Sequence, residues 1–187
     1  MYLNIEKTTK FFKTTYNVYI SAAAGSNYLA NNFQDISEIE KAIAQIEQVK
    51  DSIIKNLKGN DYQNILYIHD LLVDNIEYDQ MYNAKGSYSI YGALIEKKCV
   101  CEGYTKAFKY LLNSAGIDCE LMQGMATNSV GNSENHAWNC VKLNNIWYEV
   151  DVTWDDPIII GNGKINNNVK YRYFLKGSQT FEKDHTL

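Results

Sequence analysis

The chain has one proline in 187 residues, no long apolar run and no excess of positive charge. Each shortage excludes something. With 18 basic against 22 acidic residues, a net charge of −4, there is no surplus of lysine and arginine to neutralise phosphates. Nucleic acid is therefore not an expected partner. The uninterrupted apolar stretches are far shorter than the ~20 residues a membrane-crossing helix needs, so no membrane insertion is expected. Lys7, Lys10 and Lys13 are followed by no apolar core, so no signal peptide is visible. A fragment of a secreted or cell-surface protein would read the same way, and the sequence leaves localisation unknown. Scarce proline and 21% charged residues argue against disorder.

Cysteine is also sparse. The four residues stand at 99, 101, 119 and 140, and a disulfide framework usually belongs to smaller secreted chains. Cys99-Val-Cys101 is tighter than a zinc knuckle and no second pair follows it. Asp155-Asp156-Pro157 lacks the spaced ladder of a calcium loop and reads as a turn. Nothing calls for a metal or an organic cofactor, and the thiols are expected to be free.

What is present is a 45% hydrophobic chain long enough for one core. Residues 1–34 read as an N-terminal extension in which Phe11–Ile20 has the composition of a strand packed on the core. Residues 35–187 form the expected domain. Ser37 with Glu40 reads as a capping box, opening a helix whose apolar positions from Ile39 to Leu57 keep helical spacing up to Gly59. Asp61 is expected to cap a second helix that carries His69 on its apolar face, a core position. Residues 79–92 read as a loop. The sharpest helix runs from just behind Cys101 to Gly116, with Tyr104, Ala107, Phe108, Leu111, Leu112 and Ala115 at helical spacing.

Beyond it, Ile117–Met125 reads as a strand. His136–Leu143 and Ile146–Thr153 form a hairpin about Asn144-Asn145, since asparagine tolerates the positive φ of a type I′ turn. That turn makes Trp138 face Asp151 and places His136 on the same sheet face, on the diagonal, where longer side chains meet. Gly161–Asn168 is expected to be a polar loop and Tyr171–Leu175 a last strand. Helices first and strands later give the class α+β.

The chemistry gathers at three residues. A carboxylate on one imidazole nitrogen fixes the tautomer and frees the other nitrogen for proton transfer, so Asp151 and His136 suit orienter and base. Cys101 stands at a helix N-terminus, where partial positive charge favours a thiolate and free N–H groups can receive an oxyanion. Cys119 and Cys140 lie in strands without such help and read as structural. His185, two residues from the end of the sequence, is expected to be solvated.

The runs VCEGYTKAF (Val100–Phe108), NHAWNCVKL (Asn135–Leu143) and WYEVDVTWDD (Trp147–Asp156), with IHDLLVDNIEYD (Ile68–Asp79) upstream, resemble the transglutaminase-like superfamily, most closely its bacterial branch, over residues 35–157. The resemblance implies a papain-like fold: a Cys-bearing helix, with helices N-terminal to it, packed on an antiparallel sheet that carries His and Asp. It implies a nucleophile at Cys101, a base at His136 and an orienter at Asp151. The implied reaction is on amide bonds of peptides or proteins through a thioester, ending in hydrolysis or in acyl transfer to an amine. Animal members use an upstream Trp at the oxyanion; no Trp precedes Trp138 here, and Tyr88 is the candidate in its place. Cys99 stands where a small residue is expected, which admits a redox lock with Cys101. Fifteen tyrosines suit contact with extended polar chains such as peptides or cell-wall material. The competing functions are a non-catalytic protein- or wall-binding module on the same fold, and a metal-stabilised structural domain.

Overall fold

The computed structural model describes residues 2–10, 13–21, 33, 35–157 and 167–187. β1 (Tyr2–Lys10) and β2 (Lys13–Ser21) pair with each other as an antiparallel ribbon, separate from the other sheets. Two strands stand where one was expected; residues 11 and 12 of the expected strand lie outside the described residues. Ile5, Tyr16 and Val18 of this ribbon are more than half exposed.

α1 (Ile36–Lys55) and α2 (Asp61–Asn75) follow. The cap of α1 stands two residues before the sequence signal and that of α2 one residue before it. Asp35, not Ser37, caps α1, accepting the Ser37 N–H at 2.7 Å. Asn60, not Asp61, caps α2, in a reciprocal capping box with Gln63. Aspartate and asparagine accept N–H groups at helix starts as readily as serine, so adjacent candidates compete.

β3 (Glu77–Tyr78) pairs in parallel with β4 (Lys98–Cys99) across the 79–97 segment. That segment is not loop throughout: a π-helical turn at Gly92–Glu96 ends at Lys97, whose φ is 59°. Gly92 is there because a Cβ would stand 2.1 Å from the Gly86 carbonyl oxygen.

α3 (Cys101–Ser114) is the central element. Its apolar face, Tyr104, Ala107, Phe108, Leu111 and Leu112, is fully buried, and burying one such side chain contributes about 1.5–3 kcal/mol. Gly116 ends the helix with φ 79°. α3 packs with α1 and α2 on one side and with β5 (Cys119–Thr127) and β6 (Ser133–Leu143) on the other.

The sheet has the order β7-β6-β5-β8, all antiparallel, with β7 at Ile146–Val150 and β8 at His185–Thr186. The hairpin register holds: Leu143 faces Ile146 and Asn139 faces Val150, about a turn in which Asn144 and Asn145 have φ of 52° and 65°. The second strand is shorter than expected. It stops at Val150 because Asp151 takes its own downstream backbone, its Oδ1 accepting the N–H groups of Thr153 at 3.0 Å and Trp154 at 3.2 Å.

The expected last strand, Tyr171–Leu175, is irregular. It follows a short α4 (Asn167–Lys170), which takes the end of the expected Gly161–Asn168 loop; the rest of that loop lies outside the described residues. Tyr173 gives its N–H to the Asp155 side chain at 2.7 Å and its carbonyl to Asp151 N–H at 3.2 Å, and Leu175 has φ 47°. Side-chain capture and a left-handed residue leave only Lys176 to bridge to Glu149. α5 (Ser178–Phe181) leads into β8.

Candidate active site

Cys101 is the first residue of α3, and Val100 before it is extended with no side-chain cap. The N–H groups of Gly103 and Tyr104 bond the Val100 carbonyl at 2.9 and 3.2 Å, and those of Cys101 and Glu102 precede the helix's own hydrogen bonds. The thiol is partly exposed and opens on a cleft of about 510 Å³ lined by Tyr78, Tyr82, Tyr88, Glu134 and His136 among others. No helix-start signal in the sequence explains how α3 is aimed. The structure does so through two polar residues that sequence reading passed over. The Thr105 hydroxyl lies 2.8 Å from the Cys101 carbonyl and 3.0 Å from that of Ala137 on β6. The Asn139 amide donates to the carbonyls of Thr105 and Glu120. Asn139 sits on the apolar face of the hairpin, and a buried amide among apolar neighbours was the available signal.

His136 and Asp151 come together. His136 Nε2 is 2.7 Å from Asp151 Oδ2, and both side chains are buried. The contact is not the strand diagonal that the register suggested; Asp151 reaches His136 from the turn beyond β7. Nδ1 is left for Cys101, the imidazole's other polar partner. Burial works against the imidazolium, but the Asp151 carboxylate and then Cys101 outweigh it and push His136 up to about 10. Burial likewise works against the Asp151 carboxylate, yet His136 and His185 hold it down to about 2.

The other thiols are placed differently. Burial raises Cys99 well above the ordinary thiol range, and Cys119 above it too. Cys140 is pushed up to about 11 by burial and the Glu149 charge. All four cysteines are free. Cys99 is wholly buried, and Gly103 makes room for it: a Cβ at 103 would stand 2.8 Å from its Sγ. Cys99 is packed into the core against Gly103 of α3. Tyr88 is about half exposed at the cleft rim, its carbonyl held by the buried Lys106 ammonium at 2.9 Å.

His69 is a core histidine, as its helix face implied. It is buried between Asp155, 3.1 Å from Nε2, and Asp70, 3.1 Å from Nδ1. Asp155 and Asp156 belong to a turn, but they also hold structure: Asp156 accepts the Tyr104 hydroxyl at 2.6 Å. The expectation for His185 is overturned. It is 1% exposed and bonds Asp151 Oδ2 from its Nε2 at 3.1 Å, because β8 pairs His185 with Ala126 at the edge of β5. A two-residue strand leaves no periodicity to read.

Among the described residues no helix is long and apolar enough to cross a membrane. A crystal structure of a TGase superposes with a TM-score of 0.51 at 14% identity, covering 91% of this chain and 48% of that one. The kyphoscoliosis peptidases of Homo sapiens and Mus musculus are 25% identical over 170 residues and 26% identical over 137 residues. These matches cover 81% and 67% of this chain but only 26% and 21% of the relatives, so the chain spans about a quarter of the length of those curated proteins. The family model of the transglutaminase-like superfamily matches residues 47–152, which contain Cys101, His136 and Asp151, and the chain belongs to that superfamily.

Proposed function

We propose that the chain is a cysteine-nucleophile enzyme acting on amide bonds of peptides or proteins, with Cys101, His136 and Asp151 as its triad. The observation that carries this reading is the placement of His136 between a buried carboxylate and a thiol that opens on a cleft at a helix N-terminus. Cys101 Sγ attacks the carbonyl carbon, and the oxygen that gains the electron pair is received by the first-turn N–H groups of α3. On collapse the C–N bond breaks and His136 gives its proton to the departing amine, leaving a thioester. His136 then takes a proton from the next nucleophile as it attacks the thioester carbon, and the C–S bond breaks to release Cys101 as a thiolate. Water as that nucleophile gives hydrolysis, the outcome we favour, since the curated relatives are named as peptidases; an amine gives acyl transfer. Asp151 holds the imidazole in one tautomer throughout. The Tyr88 hydroxyl at the rim is the candidate further donor to the oxyanion. Tyr78, Tyr82 and Tyr88 offer the cleft to an extended polar chain such as a peptide or the peptide part of cell-wall material.

Mass spectrometry after treatment with a peptidyl electrophile tests this. Labelling of Cys101 ahead of Cys99, Cys119 and Cys140, lost in His136→Ala, is the expected result. Equal labelling of all four thiols, or none at Cys101 in reduced native protein, would favour the non-catalytic binding module.

A further inference from the structure

Asp151 receives two histidines, not one. His136 Nε2 lies 2.7 Å and His185 Nε2 3.1 Å from the same oxygen, Oδ2, while Oδ1 is taken by two backbone N–H groups. The other nitrogen of His185, Nδ1, is 2.8 Å from Asp184 Oδ1. Both ring nitrogens of His185 thus face a carboxylate oxygen, a group that accepts hydrogen bonds when ionised, Nε2 that of Asp151 and Nδ1 that of Asp184. Its setting is tight: Phe181, Trp154, Trp138 and Tyr173 pack around it, with ring centroids 4.1, 4.6, 5.2 and 5.4 Å away. The charged and titratable groups facing it are Asp151, Asp184, His136, whose ring centroid is 5.6 Å away, and Glu149, whose charge it touches from β7.

We propose that His185 is a positioning residue of the triad, which fixes the Asp151 carboxylate in place and whose hydrogen bond to the shared oxygen offsets part of the pull of Asp151 on the His136 proton. The proposal rests on the triad assigned above. Its chemical sense is simple. A buried carboxylate with one imidazole for a partner holds the imidazolium so firmly that it becomes a poor acid towards a departing amine. A second hydrogen-bond donor on the same oxygen weakens that grip without moving the base. The donor atoms of His136, Asp151 and His185 also lie within 4.8 Å of one another, a spacing that a metal ion could use. Protons on the two imidazoles account for the same spacing.

Two variants test the proposal, His185→Gln and Asp184→Asn. The second keeps His185 but weakens the contact that anchors its Nδ1, and it lies at the surface end of the chain of contacts, so it serves if the first does not fold. The titration of the His136 ring is followed by NMR with labelled histidine, in a Cys101→Ser background so that no thiolate intervenes. Loss or loosening of that donor leaves the full Asp151 charge on His136 and should raise its midpoint by about one pH unit in both variants. In the Cys101 protein, kcat should fall about tenfold with KM little changed, because the substrate does not touch His185. An unchanged midpoint with only a lower melting temperature overturns the proposal, since a structural role predicts that result. Stoichiometric zinc in the purified protein, with activity lost on chelation, overturns it in favour of a metal centre. Failure of the triad itself is read separately: the wild-type Cys101 would then resist the electrophile, whatever the histidines do.

Discussion

Two buried histidine–aspartate pairs stand on one turn of this chain, four residues apart, and only one of them faces a cleft. His136–Asp151 and His69–Asp155 have N···O distances of 2.7 and 3.1 Å, and all four side chains are sealed from solvent or nearly so. Asp155 even gives its N–H to the Asp151 carbonyl. The difference lies in what the second ring nitrogen meets. In His69 it meets Asp70, and the ring packs against Phe174 and Tyr171, 4.9 and 5.6 Å away between centroids. In His136 it is left for a thiol at a helix N-terminus. A carboxylate on an imidazole is thus a structural clasp unless a nucleophile and an opening complete it. The two clasps share the 151–155 turn, so the His69 pair holds up the site that the His136 pair serves.

The comparison is sharpest where one pair should matter for turnover and the other should not. Cys101→Ala and His136→Ala should each lower kcat by about 10⁴ or more, and the double variant should be no worse than either, because the two act as one unit. Steady-state kinetics on one peptide substrate would show this. Additive losses would mean that the two residues do not share a step.

Next in size is the orienter and its counterpart. Asp151→Asn should cost about 10²–10⁴ in rate, by analogy with other triads. Asp155→Asn should leave turnover per folded molecule nearly intact and lower stability by roughly 3–5 kcal/mol, the usual consequence of breaking a buried pair by removing one partner. Denaturant unfolding and active-site titration of the same preparations separate the two outcomes. If Asp155→Asn abolished turnover while stability held, the division between clasp and site would be wrong.

The pH dependence of stability follows from the same pair. His136 is raised from its ordinary value of 6.5 to about 10, so the folded state binds its proton more tightly than the unfolded chain does. That contribution is fully present below pH 6.5 and is lost as pH rises towards 10. Asp151, lowered from 3.8 to about 2, behaves in the opposite sense: its contribution is present above pH 3.8 and is lost as pH falls towards 2. Melting temperatures between pH 6.5 and 10 should therefore decline in the wild type and decline less in His136→Gln. Parallel curves for the two proteins would place the alkaline loss elsewhere.

How much of this the sequence discloses depends on range. Cys101 is legible because helical spacing from Tyr104 to Ala115 fixes where the helix starts, and the sheet face of His136 because Asn144-Asn145 fixes the hairpin register, whereas Asp151 makes the contact from the turn beyond β7. Each signal lies within about fifteen residues. Thr105 and Asn139, which aim α3 at the sheet, act through carbonyls on other elements and have no local period. His185 lies 34 residues from the carboxylate it binds, on a two-residue strand held only by its neighbour. The break of β7 at Val150 was hidden for another reason. An alternating pattern carries on through Val152, and side-chain capture by Asp151 overrides it.

The smallest effect should come from the point farthest from either clasp, the hairpin turn. Asn144 and Asn145 both sit at positive φ, 52° and 65°. Glycine adopts that region without strain but also widens the unfolded ensemble, so Asn145→Gly gains in the folded state and loses in the unfolded one. The net change should stay within about 0.5 kcal/mol. Turnover should not move, because the register on which His136 depends is also pinned by pairing of β6 with β5 from Ser133 to Val141, Gly124 facing His136 itself. A fall in kcat with unchanged melting temperature would show that the turn, rather than the central strand pair, sets where His136 meets Asp151.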